Sequence, residues 1–292
     1  MILFLVMGTC SKRVSSLPKE LYPLSHMLNT RTVPIVPFLD YWGNVFDLNE
    51  TFTAAIHQRA DSCGYTEYID KYLTFPPPAG PFPLPANSSN GCDIFDDVFS
   101  AALEVNPCFN IYHILDTCPH LFNVLGIVNQ GDYFPPGAQV YFNRSDVQAA
   151  INAPVGTNWA QCTPTNVFEG PYGNNSAGDE SLGPAQDGVL QHVIEHTNNT
   201  IIGVGGLDYI LPTNGTLLAI QNMTWNGVQG LQSPPTENAF FVPYHPEYNL
   251  GALAGAGDLG TWVSERGLTF YQVYLAGHSK LSQAPSEGGK PN

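Results

Sequence analysis

Asp208 and His278 are the side chains of this sequence best placed to move a proton. A carboxylate that accepts a hydrogen bond from one imidazole nitrogen fixes the ring's tautomer, and the other nitrogen can then take a proton near neutral pH. Each residue closes a strand-like run. The first run, Asn199-Thr200-Ile201-Ile202-Gly203-Val204-Gly205-Gly206-Leu207-Asp208-Tyr209, is rich in β-branched residues, passes through glycines and delivers an acid. Seventy residues later, Leu268-Thr269-Phe270-Tyr271-Gln272-Val273-Tyr274-Leu275-Ala276-Gly277-His278 repeats the design and delivers a histidine. A hydrolytic relay also needs a nucleophile. No Gly-x-Ser-x-Gly turn occurs, and the nearest segment, Gly277-His278-Ser279-Lys280-Leu281, lacks the second glycine.

For an acid and a base to meet, both runs must lie in one parallel sheet, with the functional residues on turns at its carboxyl edge. In α/β-hydrolases the triad follows the chain order nucleophile, acid, base, and this sequence carries the last two in that order. Helical spacing over residues 45–72 (Phe46, Phe52, Ala55, Ile56, Ala60) predicts an amphipathic segment, with capping types in Asp47-Leu48-Asn49-Glu50. A second helix is predicted over 93–105, ended by Asn106-Pro107. Further helices are expected over 146–151, 189–196 and 215–221. The proline-rich run 76–90 must be a loop, because repeated proline supplies no backbone donors. Loops are also expected over 168–187 and 225–235, and a flexible segment over 251–260.

The motifs around these residues carry a resemblance. Gly206-Leu207-Asp208-Tyr209-Ile210, Asn214-Gly215-Thr216-Leu217-Leu218-Ala219-Ile220-Gln221-Asn222-Met223-Thr224-Trp225-Asn226-Gly227 and Glu265-Arg266-Gly267-Leu268-Thr269-Phe270 resemble the C-terminal part of fungal secreted serine carboxypeptidases. Cys63-Gly64-Tyr65-Thr66, Tyr72-Leu73-Thr74-Phe75-Pro76-Pro77-Pro78 and Asn106-Pro107-Cys108 are similar to the insertion those enzymes carry before the acid. The resemblance runs from about Tyr41 to His278. It implies an α/β fold: a partial α/β-hydrolase sheet with a helical, disulfide-stapled cap insertion. It also implies that Asp208 orients His278, that His278 is the base, that peptides are the substrates of the intact enzyme, and that no cofactor is needed. The family's oxyanion segment and the groups that hold a substrate's terminal carboxylate lie upstream of the matching stretch. The residues after His278, Ser279-Lys280-Leu281-Ser282-Gln283, depart from the family pattern.

Rival chemistries are poorly supplied. Among His57, His113, His120, His192, His196 and His245, only His192 and His196 have helical pair spacing, and they lack a third ligand. With no Cys-x₂-Cys pair either, no metal is expected. Lys and Arg total 10 against 25 Asp and Glu, a net charge of −15 that repels phosphate backbones and anionic lipid, so neither nucleic acid nor membrane is an expected partner. The apolar start Met1-Ile2-Leu3-Phe4-Leu5-Val6-Met7 is too short to span a bilayer, and its positive charges, Lys12 and Arg13, follow the run where a signal peptide places them before it. Trp225, Tyr65 and Tyr72 could line a pocket or plug a core. Glu265-Arg266 reads as a structural ion pair or a solvated corner.

Six cysteines and seven Asn-x-Ser/Thr sequons, at Asn49, Asn87, Asn143, Asn174, Asn198, Asn214 and Asn222, point to an oxidising secretory route and a secreted or vacuolar location. Cys63, Cys92, Cys108 and Cys118 allow three pairings; the local loops Cys63–Cys92 and Cys108–Cys118 are favoured over a nested pair. In the resembling family the equivalent of Cys162 bridges to the oxyanion segment, so Cys162 is expected to be unpaired unless Cys10 reaches it. The expected organisation is an atypical N-terminus over 1–40, a helical cap over 41–130, the C-terminal part of a hydrolase domain over 131–280 and a disordered tail over 281–292. The resemblance thus implies a serine carboxypeptidase whose 292 residues are inactive alone. The alternative is a non-catalytic secreted protein that binds peptides or a partner.

Overall fold

The computed structural model describes residues 31–85, 91–118, 141–158, 185, 187–244 and 256–278. Short helices α1 (Ile35–Tyr41) and α2 (Gly43–Phe46) lead into α3 (Glu50–Ser62) and α4 (Tyr65–Tyr72), and α5 (Ile94–Val105) follows. The predicted single helical segment over 45–72 is therefore interrupted. Asn49 caps α3 by accepting the Phe52 N–H at 2.8 Å, and Gly64 at φ +75° turns the chain between α3 and α4, a conformation that glycine adopts without a Cβ penalty. Helices α6 (Ser145–Ala150) and α7 (Val189–Thr197) precede strand β1 (Thr200–Gly205), and α8 (Thr213–Gln221) follows it.

The 225–235 stretch expected to be a loop begins as a hairpin of β2 (Thr224–Trp225) and β3 (Val228–Gln229). Its Asn226-Gly227 turn has both residues at positive φ, the two-residue geometry that suits the twist of paired strands. Strands β4 (Asn238–Val242), β5 (Gly257–Glu265) and β6 (Leu268–Val273) complete a four-stranded sheet of order β1-β6-β5-β4. Among the described strands only β1 and β6 run parallel, with Thr200 opposite Leu268 and Gly205 opposite Val273. Part of the stretch expected to be flexible, from Gly257 on, is strand, paired with β4 on one side and β6 on the other. Residues 251–255, the 168–184 part of the acidic loop and the tail after His278 lie outside the described residues.

Two apolar clusters hold these elements. One joins helices α1 to α5 to the residues just past β1: Phe38, Phe46, Phe95 and Phe109 surround Tyr209, with ring centroids 4.5 to 5.8 Å from it. The other packs Leu190, Ile194, Leu217 and Ile220 from α7 and α8 against Ile202, Val204, Leu268 and Phe270 of the parallel pair. Trp225, fully buried, closes the second cluster; its Nε1 donates to the Arg266 carbonyl at 3.2 Å, and the Arg266 guanidinium lies 4.4 Å over its ring. Disulfides Cys63–Cys92 and Cys108–Cys118 staple the helical part, with Cα–Cα distances of 5.9 and 5.3 Å. Cys10 and Cys162 lie outside the described residues, among which no cysteine is free. No described helix is long and apolar enough to cross a membrane.

Candidate active site

The parallel register of β1 and β6 brings two turns side by side at the carboxyl edge of the sheet. Asp208 follows the end of β1 by three residues and His278 follows β6 by five. Close contact between the turns requires residues without side chains: a Cβ on Gly205 would sit 2.3 Å from the carbonyl oxygens of Ala276 and Gly277, and one on Gly206 would sit 2.4 Å from the Tyr274 oxygen. That space holds backbone hydrogen bonds from the Gly206 N–H to Val273 (2.8 Å) and from the Leu207 N–H to Ala276 (2.9 Å).

The two side chains meet. His278 Nδ1 lies 2.8 Å from Asp208 Oδ2, and the other carboxylate oxygen, Oδ1, accepts the Leu211 N–H at 3.1 Å. Asp208 is 4% exposed, so its charge is shielded from water and the contact is stronger than it would be at the surface. An ionised carboxylate only accepts hydrogen bonds, so against an ionised Asp208 the donor is Nδ1–H, and in the matching neutral tautomer the lone pair is at Nε2. Among the described residues no hydrogen bond engages Nε2. The arrangement can hold an imidazole in one tautomer, accept a proton at Nε2 and stabilise the imidazolium that forms.

Sequence reasoning missed the residues that hold the pair. Tyr209, next to the acid, is buried in the helical cluster and donates its hydroxyl to the Phe95 carbonyl at 2.7 Å; burial raises its pKa well above that of a free tyrosine. Trp42, at the end of α1, donates Nε1 to the Gly206 carbonyl at 2.9 Å across 164 residues. Tyr112 accepts the His278 N–H on its carbonyl at 2.8 Å and places its ring 5.4 Å from the imidazole. The one available signal was the short spacing between Cys108 and Cys118, which marks a constrained loop.

The other candidates are apart from this pair. His192 and His196 stack on α7 with ring centroids 5.8 Å apart, and no group of three metal-binding side chains exists among the described residues. Tyr65 and Trp225 are buried as core plugs. Glu265 and Arg266 form a structural ion pair of 3.0 Å, and Glu265 also accepts the backbone N–H groups of Gln232 and Ser233. Asn49, Asn143, Asn198 and Asn222 are exposed and Asn214 is half-buried; Asn87 and Asn174 lie outside the described residues.

The model of the serine carboxypeptidase family matches residues 58–288. The chain belongs to the serine carboxypeptidase family. It is 44% identical over 254 residues to a probable serine carboxypeptidase of Arthroderma benhamiae, covering 87% of this chain and 46% of that protein. It is 39% identical over 265 residues to a serine-type carboxypeptidase F of Aspergillus niger, covering 86% of this chain and 49% of that protein. The chain spans about half the length of the curated relatives it matches. Among solved structures it is similar to a prohormone-processing carboxypeptidase of Saccharomyces cerevisiae, at 18% identity and TM-score 0.49, covering 86% of this chain and 48% of that one.

Proposed function

We propose that this chain supplies the acid–base half of a serine carboxypeptidase, an enzyme that releases single residues from peptide C-termini. The observation that carries the reading is the 2.8 Å contact between His278 Nδ1 and Asp208 Oδ2 at the ends of two parallel strands. In the proposed reaction a serine oxygen attacks the carbonyl carbon of the last peptide bond while His278 Nε2 takes the serine proton. Asp208 holds the Nδ1 proton and stabilises the imidazolium. His278 then gives its proton to the nitrogen of the departing residue as the C–N bond breaks, leaving an acyl-serine. Water repeats the cycle: His278 accepts its proton, hydroxide adds to the acyl carbon, and the serine oxygen leaves with the proton returned to it.

The 292 residues contain no Gly-x-Ser-x-Gly turn, so the serine and the oxyanion donors come, in this reading, from sequence outside them. The two disulfides and the exposed sequons support synthesis through the secretory pathway, for secretion or vacuolar delivery. The test uses a fluorophosphonate, which labels only an activated serine. The 292-residue polypeptide should remain unlabelled and should not cleave a blocked dipeptide. A longer protein joining these residues to a family segment with the serine turn should do both. Labelling of the 292-residue polypeptide, or a longer protein whose activity survives His278→Ala, would overturn the assignment.

A further inference from the structure

Strand pairing fixes β1 and β6, and Asp208 and His278 stand beyond the strand ends, on turns joined to each other by the Leu207 N–H bond to the Ala276 carbonyl. The loop closed by Cys108–Cys118 touches both turns. The Ile111 carbonyl accepts the N–H groups of Tyr209 (3.0 Å) and Ile210 (3.1 Å), and the Ile114 N–H donates to the Leu207 carbonyl at 3.2 Å, so the loop grips the acid turn on both sides of Asp208. One residue after Ile111, the Tyr112 carbonyl takes the His278 N–H at 2.8 Å, and the tyrosine ring meets the imidazole at a centroid distance of 5.4 Å and an angle of 56°. Adjacent residues of one short loop thus bind the acid's turn and the base.

The loop is itself braced from within. Asn110, 4% exposed, accepts the Tyr112 N–H on Oδ1 at 3.0 Å and donates from Nδ2 to Asp116 Oδ2 at 2.7 Å. Asn106 donates to the Asp116 carbonyl at 2.8 Å and accepts the Cys108 N–H at 3.1 Å. A buried amide that uses both ends inside one loop fixes that loop's shape, and removing it takes away both of these bonds at once.

We propose that the 108–118 loop sets the Asp208–His278 geometry, with Tyr112 as a positioning residue for the imidazole and Asn110 as the residue that holds Tyr112. The inference rests on reading Asp208 and His278 as an acid–base pair, but its test requires no turnover. Water must reach the Nδ1 proton for it to exchange, and it does so only when the pair opens, so the exchange rate reports how tightly the imidazole is held. That rate is read by proton NMR on the 292-residue chain with ¹⁵N-labelled histidine, where Asp208→Asn identifies the His278 signal by removing it.

Tyr112→Leu and Asn110→Ala should each speed that exchange about tenfold while circular dichroism stays that of the parent chain. Tyr112→Phe, which keeps the ring, should exchange at the parent rate, and the paired change Cys108→Ser with Cys118→Ser should match Asn110→Ala. If Asn110→Ala fails to fold, Tyr112→Leu decides, because it leaves the loop's backbone hydrogen bonds intact. Parent-rate exchange in Tyr112→Leu overturns the positioning role of Tyr112, and parent-rate exchange in the cysteine variant overturns that of the loop. Faster exchange in Tyr112→Phe equal to that of Tyr112→Leu overturns the role of the ring contact. A serine-bearing longer protein without carboxypeptidase activity, alongside the expected exchange pattern, would remove the proposed function and leave the positioning role standing.

Discussion

At the residue scale the site depends on two side chains and on two missing ones. In a serine-bearing longer protein, His278→Ala should lower kcat by about 10⁶ and Asp208→Asn by about 10⁴, because the ring that takes the proton is lost in the first and only its tautomer in the second. Single-turnover and steady-state rates on a blocked dipeptide measure both. The glycines matter in a different way. Gly205→Ala places a methyl 2.3 Å from two backbone oxygens, which cannot yield as a flexible side chain would. We expect a loss of about 3 kcal/mol in urea unfolding, with the His278 Nδ1 proton exchanging faster, since relief of the clash moves the base's turn away from the acid's. A neutral Gly205→Ala would show that the two turns do not touch.

At the element scale, the helical part joins the sheet through aromatic side chains. Tyr65 is buried and donates its hydroxyl to the Cys92 carbonyl at 2.7 Å, beside the Cys63–Cys92 disulfide. Burial, with a smaller contribution from Asp93, pushes its pKa up from 10.0 to about 12, and Tyr68 and Tyr209 shift in the same direction. The folded form keeps its proton where the unfolded chain loses it. Tyr65 therefore contributes its full stability below pH 10, and that contribution fades as pH rises from 10 towards 12. Urea midpoints across this range should fall steeply for the parent chain. Tyr65→Phe should lose about 1 kcal/mol at neutral pH with its hydrogen bond, yet decline less on the alkaline side. An identical alkaline slope in the two proteins would contradict the burial of that hydroxyl's charge.

At the scale of the whole molecule, the helical cluster and the sheet cluster meet at the turn after β1, where Leu207, Tyr209 and Ile210 enter the helical core while Ile202 and Val204 face the other. Asp208 sits at this seam, so the packing of either part is felt at the acid. The exposed sequons lie on helix caps and ends, at Asn49, Asn198 and Asn222, and at the 3₁₀ turn Tyr141–Asn143. Made in a fungal secretory host, the protein should lose the mass of several glycans on enzymatic deglycosylation. A mass unchanged within error would remove the secretory argument. Asn222 also accepts the Phe82 N–H on Oδ1 at 2.7 Å, and a glycan on its nitrogen leaves that oxygen available.

Local pattern was enough to read the strand into Asp208, the strand into His278 and the capping residue types around Asn49, because each depends on residues near one another in sequence. Strands β4 and β5 were not legible. β4 has a half-exposed alternation with Phe241 62% exposed, and β5 opens on a glycine-rich run; each is held in place by its ladder partner. The 2.8 Å approach of His278 to Asp208 was likewise decided by tertiary structure. Sequence supplied the two side chains and the glycines that permit contact. The distance follows from parallel pairing across 70 residues and from Trp42, Tyr112 and Tyr209, whose hydrogen bonds and ring contacts reach the site from remote segments, and such long-range closure leaves no periodicity in the chain.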